Sequence, residues 1–306
     1  MTDILVAGSL HWDTIVRAPR LPRSDETLMG TDVHHRFGGK GGNQALAAAR
    51  MGARVAMAGA TGDDADGGRL RAALTEAGVE IGQVQTATAP SGMSVAILEA
   101  NGEYGAVVVS GANQAIDPSR IGIPDACQMV CLQNEVPAAV NLALAKAAGQ
   151  AGAKVMLNAA PARALDGDMI ERTDILVANR VEAAMLWPRL ADALTDDARP
   201  FSGGRPPDLP GIDVVITLGG HGLIFVPRDG GPVRYPAHRV RMLSAHGAGD
   251  MFCGALAAAL VRGAPVTEAL EFAQAAAALL VSSRDPFRTS FGPDEVAALR
   301  SQSFRP

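Results

Sequence analysis

Cysteine is scarce in this chain of 306 residues: Cys127, Cys131 and Cys253 form an odd, scattered set without zinc spacing. Disulfide frameworks and structural zinc are set aside as sources of stability, and free buried thiols in a reducing compartment are expected. Positive charge is in short supply as well. With 27 Lys and Arg against 32 Asp and Glu, the net charge of −5 gives no basic field for nucleic acid or an anionic membrane. Any anionic ligand must then be held by local devices such as helix N-termini or a divalent metal. No apolar run approaches the roughly 18 residues of a membrane-spanning helix. The opening stretch Met1-Thr2-Asp3-Ile4-Leu5-Val6 lacks a basic leader region, so a soluble cytoplasmic protein is expected. Internal repeats and low-complexity tracts are missing too.

What the chain does have is apolar content. At 48% hydrophobic and 19% charged it reads as a packed globular protein. Its length suits one large domain, or one with a small accessory piece, and buries roughly three quarters of the unfolded surface without staples. Apolar runs at Ile4–Ala7, Val55–Gly59, Met129–Leu132, Lys154–Leu157, Ile175–Val177 and Val214–Leu218 read as strands. Helical patterns alternate with them at Gly67–Ala77 and Pro137–Gly149, and close the chain at Gly249–Arg262 and Thr267–Val281. Strands alternating with helices predict an α/β fold with a mostly parallel sheet covered on both faces. A second, smaller sheet is predicted from Thr14–Arg17, Asp32–Phe37 and a hairpin of Met93–Glu99 and Glu103–Ser110 around Ala100-Asn101-Gly102. Ile224–Val226 and Val233–Tyr235 suggest another hairpin, and the Pro/Gly-rich stretch 199–211 a surface loop.

Two glycine-rich stretches carry chemistry. Gly247-Ala248-Gly249-Asp250 opens an apolar helix, so unpaired N–H groups and the helix dipole can receive an anion. Asp250, in the first turn beside that site, can accept a proton from a hydroxyl attacking phosphorus. The same features also suit an ordinary loop whose acid the dipole favours. Gly38-Gly39-Lys40-Gly41-Gly42-Asn43-Gln44 reads as a loop feeding a helix over Ala45–Met51, stopped at Gly52. It matches neither of the common nucleotide fingerprints. Its glycines allow a small ligand close to the backbone, or simply tight packing. Past the first strand, His11, Trp12 and Asp13 sit where open α/β sheets place ligands, although Asp13 also suits a plain turn.

Taken in order, these strings resemble the ribokinase-type (PfkB) carbohydrate kinases over nearly the whole chain. The resemblance rests on both glycine stretches with Gly8-Ser9-Leu10-His11-Trp12-Asp13, Thr61-Gly62-Asp63-Asp64, Gly111-Ala112-Asn113, Asn158-Ala159-Ala160-Pro161-Ala162, Asn179-Arg180-Val181-Glu182 and Thr217-Leu218-Gly219-Gly220-His221-Gly222. It implies a ribokinase-like three-layer α/β domain over 1–306, with a β-sheet lid from about 14–37 and 91–112 through which two copies pair as a homodimer. It also implies transfer of the γ-phosphoryl group of ATP to a sugar hydroxyl. Asp250 would be the base and Gly247, Ala248 and Gly249 the anion hole. The acceptor would meet His11, Asp13, Gly39, Lys40, Gly41, Gly42, Asn43 and Glu135. The nucleotide would meet Asn179, Thr217, Gly219, Gly220, Gly222 and Gln274, the last a polar exception in an alanine-rich helix. Glu182 would act on Mg²⁺ through water, in keeping with the waters that ion retains.

Departures from the pattern matter as much. His11 stands where ribokinase has an asparagine that helps hold ribose, with Trp12 beside it, so an acceptor other than ribose is expected. A nucleoside stacked on Trp12 is the alternative, and a non-catalytic sugar or nucleotide sensor a further one. Ser244 replaces the aspartate that holds a monovalent cation, and Pro286 interrupts the loop expected to complete that site. Little dependence on potassium is expected, with Arg284 or Arg288 as a substitute charge. Asp63 and Asp64 are left as exposed loop acids. His34-His35 is taken as a lid-strand pair, since no third metal ligand is suggested nearby.

Overall fold

The apolar runs become strands of a nine-stranded sheet in the computed structural model, which describes residues 1–99, 104–188, 205–206, 208–284 and 287–302. The expected turn at Ala100-Asn101-Gly102, much of the stretch 199–211, Pro286 and the side chain of Arg288 lie outside the described residues. In chain order the elements begin with β1 (Ile4–Ala7), β2 (His11–Ala18), β3 (Asp32–Gly38), α1 (Lys40–Arg50), β4 (Val55–Gly62), α2 (Ala65–Glu76) and β5 (Glu80–Ala87). They continue with β6 (Met93–Glu99), β7 (Tyr104–Val109), β8 (Met129–Gln133), α3 (Ala138–Gln150), β9 (Lys154–Asn158), α4 (Gly167–Glu171), β10 (Ile175–Asn179) and α5 (Arg180–Leu186). The chain closes with β11 (Asp213–Thr217), β12 (Leu223–Val226), β13 (Val233–Tyr235), α6 (Ala248–Val261), α7 (Val266–Ser282), α8 (Phe287–Ser290) and α9 (Pro293–Gln302).

The large sheet runs β13-β12-β11-β10-β9-β8-β1-β4-β5, parallel throughout except for the antiparallel edge of β12 and β13. Every residue of β1, β4 and β8 is buried, as a parallel sheet covered on both faces requires. Successive residues serve opposite layers: Ile4 and Val6 join the core under α1, α6 and α7, while Leu5 and Ala7 join the core under α3. The strand order reverses at β1, between β4 and β8, so the crevice outside the carboxyl ends of β1 and β8 is the default ligand site of this topology. Among the described residues no helix is long and apolar enough to cross a membrane.

The small sheet, β3-β2-β6-β7, leaves the body immediately after β1. Asp64, read as a loop acid, turns out to tether it. Its carboxylate caps α2 at Gly67 N (2.7 Å) and accepts from Ser91 N (2.8 Å) and Ser91 Oγ (2.7 Å), just ahead of β6. The cap also explains why α2 begins at Ala65, before the expected Gly67. A second tether is Asn113, whose side chain bonds both the N–H and the carbonyl of Leu10.

One boundary differs more. The expected loop through Gln44 is helix from Lys40 onward, despite the poor helix propensity of glycine. Packing decides it: a Cβ on Gly41 would lie 2.6 Å from Gly8 C, and one on Gly42 would lie 2.5 Å from the Phe37 ring. The glycines let α1 sit directly on the turn between β1 and β2.

Candidate active site

Gly247 adopts a left-handed conformation (φ 75°) and caps α6, which places Asp250 in its first turn. The Asp250 carboxylate is buried. Its Oδ2 accepts from Asn43 Nδ2 (3.1 Å) and its Oδ1 from Gln44 Nε2 (3.2 Å), so α1 delivers one donor to each oxygen. Burial raises the Asp250 pKa to about 6, although Lys40, Gln44 and Asn43 favour the charged form. Lys40 is itself half-buried. Burial opposes its charge, but Asp250, Glu135 and Glu182 around it outweigh that and raise its pKa.

Glu135 follows β8 at the switch point. One carboxylate oxygen accepts from Ser9 Oγ and from the backbone N–H of Lys40 (2.9 Å), which answers an otherwise unpaired donor at the start of α1. Asp13, buried on β2, accepts from Ser94 Oγ (2.6 Å) through Oδ1 and packs its Oδ2 over Gly38, where a Cβ would lie 2.0 Å away. Asp13, Asn43 and Glu135 each keep one side-chain oxygen without a partner among the described residues. That is the arrangement needed to receive hydroxyl groups. His11 is 4% exposed, and its Nε2 has no partner among the described residues.

Trp12 does not join them. Along the first half of β2 the buried positions His11, Asp13 and Ile15 alternate with half-buried ones, and Trp12 faces the other way. It pairs across the strands with Phe37, packs on the main core and lies under the Arg69 guanidinium, 5.9 Å from the ring centroid. A base stacked on Trp12 in this site is therefore ruled out by the register of the strand.

A cavity of ≈ 170 Å³ at the start of α6 brings together Lys40, Asn179, Glu182, Gly247, Gly249 and Asp250. It shares Thr217, Ala248 and Gly249 of its lining with a cleft of ≈ 740 Å³ between Thr217–Gly222 and the helix face carrying Gln274. Gln274 Nε2 donates to Pro236 O (3.5 Å), next to Ala237 of the cleft lining. Asn179 and Glu182 form a capping box at α5: Asn179 Oδ1 accepts from Glu182 N (2.9 Å), and Glu182 Oε2 from Asn179 N (2.8 Å). Burial raises the Glu182 pKa, against a counteracting hydrogen bond from Asn179 and the charge of Lys40. No group of three His, Cys, Asp or Glu suited to a metal occurs among the described residues; His34 and His35 are exposed on β3, with His35 Nδ1 3.1 Å from Thr14 Oγ1. A single carboxylate such as Glu182, with one oxygen uncommitted, fits an ion held chiefly by phosphate and water.

Five polar residues at the site were given no role from the sequence: Ser9, Gln44, Ser94, Gln133 and Asn158. The signal for Gln133 was a polar side chain ending an otherwise apolar strand. Ser9 and Asn158 lay inside matched strings without a stated role.

The pattern of the pfkB family carbohydrate kinases matches residues 1–288. The chain belongs to that family. It is 34% identical to the ribokinase of Bacillus subtilis over 289 residues, which cover 92% of this chain and 94% of that protein. Against a deoxyribokinase of Salmonella typhimurium it is 30% identical over 288 residues, covering 92% and 93%. The structure of Arabidopsis thaliana ribokinase complexed with ribose and ATP superposes with a TM-score of 0.84 at 27% identity, covering 98% and 99% of the two chains. As a pfkB carbohydrate kinase the chain is a phosphotransferase with an alcohol group as acceptor, on the ribokinase fold.

Proposed function

We propose that this kinase transfers the γ-phosphoryl group of ATP to a hydroxyl of a pentose or related sugar, with Asp250 as the base. The observation that carries the reading is a buried carboxylate with a pKa of about 6 at the very start of α6. Such a group is ionised near neutral pH yet basic enough to take a proton. The acceptor hydroxyl loses its proton to Asp250 as its oxygen bonds to the γ-phosphorus. The bond from that phosphorus to the bridging oxygen breaks, and ADP leaves with the electron pair. The N–H groups from Gly247 to Gly249 receive charge on the transferred phosphoryl oxygens. Mg²⁺, when bound, neutralises phosphate charge. Glu182 would hold it through water while Lys40 stays charged beside it. Asp13, Asn43 and Glu135 orient the acceptor, and the ≈ 740 Å³ cleft with Thr217, Gly219, Gly220, Gly222 and Gln274 takes the nucleotide.

The small sheet is proposed as a lid. Its Asp13 and Ser94 face would close on the acceptor and exclude water. Its opposite face exposes Val33, Val95, Val107 and Val109, which share one side of the strands and suit contact with a second copy. A sensor built on the same fold needs neither a base nor a carboxylate for the metal.

The test is ADP release with Mg-ATP across a panel of pentoses, hexoses, ketoses and nucleosides. Turnover with a sugar is expected. Ribose is not expected to be the best acceptor, because His11 offers an imidazole where ribokinase offers an amide with both donor and acceptor. Ribose outperforming every other acceptor overturns that assignment, and no ADP release with any acceptor overturns the kinase reading.

Potassium is expected to stimulate turnover by less than about tenfold, a barrier change under about 1.4 kcal/mol. Ser244 supplies no carboxylate. The carbonyl of Val281, facing it across the chain, already accepts from Leu243 N (2.7 Å) and Ser244 N (3.2 Å). Turnover in potassium, sodium, caesium and tetramethylammonium buffers checks it, and a larger stimulation refutes it.

A further inference from the structure

Two buried glutamines stand behind Asp250. Gln44, 1% exposed on α1, donates Nε2 to Asp250 Oδ1 (3.2 Å) and to Asn158 Oδ1 (3.3 Å). Its own Oε1 accepts from Gln133 Nε2 (3.0 Å). Gln133 is fully buried at the end of β8, and its Oε1 fills the place over Gly8 where a Cβ would lie 1.8 Å away. The Gln133 amide has its acceptors on one side only: Gln44 Oε1 and the carbonyl of Cys131 (3.4 Å) lie on the Nε2 side, and Oε1 has no partner among the described residues.

A primary amide carries donors at one end and an acceptor at the other, so its direction matters. With Gln133 presenting N–H to Gln44, the Gln44 carbonyl must face Gln133 and its NH₂ must face Asp250. Turned around, Gln44 would set a carbonyl against a carboxylate in a dry interior, at the cost of both bonds. Asn158 Nδ2 donates to Val177 O (3.2 Å), which leaves Asn158 Oδ1 to receive the second Gln44 proton. Of the two carboxylate oxygens, Oδ1 thus looks into the protein, and Oδ2 looks toward half-buried Asn43 and the acceptor side.

We infer that Gln44 and Gln133 are positioning residues for phosphoryl transfer: Gln44 pins Asp250 through Oδ1, and Gln133 fixes the direction of the Gln44 amide. The inference rests on Asp250 being the base. Neither glutamine touches acceptor or nucleotide; both act through the orientation and basicity of that carboxylate. The charged and titratable groups around Asp250 are Lys40 on α1, Glu135 after β8, Glu182 on α5 across the small cavity and Cys253 on its own helix, and none of them can replace a neutral donor held on Oδ1.

The test compares kcat–pH profiles of the full chain with Gln44→Met, Gln133→Met and Asp250→Asn, using Mg-ATP and the best sugar of the panel. Gln44→Met loses a hydrogen bond to a charged group and is expected to lower kcat by about tenfold, and Gln133→Met, which lets the Gln44 amide turn away, is expected to lower it by less. KM for ATP should be unchanged, and the acidic midpoint of kcat should move upward because the carboxylate has lost a donor. Gln133→Glu keeps the shape and stands in if the Met variant does not fold. Its acid form still donates to Gln44, and its ionised form does not, so kcat should rise as Asp250 ionises and fall again as the introduced acid ionises, where the wild type shows no such basic limb. If Asp250→Asn is inactive while the glutamine variants keep wild-type kcat and midpoint, the relay is wrong and the base assignment survives. Lower thermal stability with an unmoved pH profile assigns the glutamines a purely structural role and overturns the inference. Retained activity in Asp250→Asn overturns both readings.

Discussion

Asp250→Asn is expected to fold, to bind nucleotide and to lose about 10²–10⁴-fold in turnover, the usual contribution of a general base. The substitution keeps the shape of the side chain and removes the proton acceptor. It also replaces an acceptor atom by a donor, so Asn43 and Gln44, which both donate to the wild-type carboxylate, can no longer both be satisfied. Retained turnover within a few-fold of the wild type would remove Asp250 from the mechanism. The wild type carries its own check. With a pKa of about 6, held up by burial, the base is progressively protonated at acidic pH, so kcat should fall on that side of about pH 6.

The same shift has a consequence for stability. A folded-state pKa above the ordinary carboxylate value means that the folded protein binds this proton more tightly than the unfolded chain does. The contribution of Asp250 to stability is therefore most favourable below the unfolded value of 3.8 and is lost as pH rises through about 6. Relative to Asp250→Asn, the wild type should lose thermal stability between pH 4 and pH 8. A functional carboxylate kept in a dry site at the expense of stability is a familiar trade.

Much of this architecture was legible in the chain. The apolar runs marked every strand of the large sheet that they named, because a parallel strand buried on both faces has no polar side to confuse the pattern. Gly247-Ala248-Gly249-Asp250 marked the start of α6 for the same local reason: small residues ahead of a helix, with an acid in its first turn. Where reading failed, the cause was tertiary. The stretch from Lys40 to Gln44 reads as loop on propensity, yet it is helix because the glycines fit against Gly8, Ser9 and Phe37. Trp12 reads as a neighbour of His11 and Asp13, but a strand sends adjacent side chains to opposite faces, and only the packed sheet shows which face meets the site. Asn179-x-x-Glu182 had the spacing of a capping box all along. Gln44 and Gln133, 89 residues apart, offered no local signal of their contact.

Gly254→Ala is expected to lower kcat by about 100-fold, the scale of a displacement near 1 Å in a catalytic group. Gly254 lies one turn after Asp250 on α6, where that helix crosses α1. A Cβ there would lie 2.5 Å from the Ala47 Cβ, 2.7 Å from Ala48 N and 2.7 Å from Gln44 O. Two of these are backbone atoms, which cannot swing aside as a flexible side chain can. Alanine favours a helix over glycine by about 1 kcal/mol. Forcing extra volume into a close-packed contact typically costs about 1–3 kcal/mol, so the steric term wins and stability should fall. More tellingly, α1 carries Asn43 and Gln44 while α6 carries Asp250. A methyl group that pushes the two helices apart must stretch both hydrogen bonds that hold the carboxylate. Gly149→Ala supplies the comparison, since its Cβ on α3 would meet nothing within 4 Å and lies far from the chemistry. That variant should match or exceed the wild type in thermal stability and leave kcat alone. Steady-state kinetics and thermal unfolding of both variants decide the matter. Wild-type kcat and stability in Gly254→Ala would show that the contact between α1 and α6 yields without disturbing Asp250, and that the base is held by something other than the seating of one helix on the other.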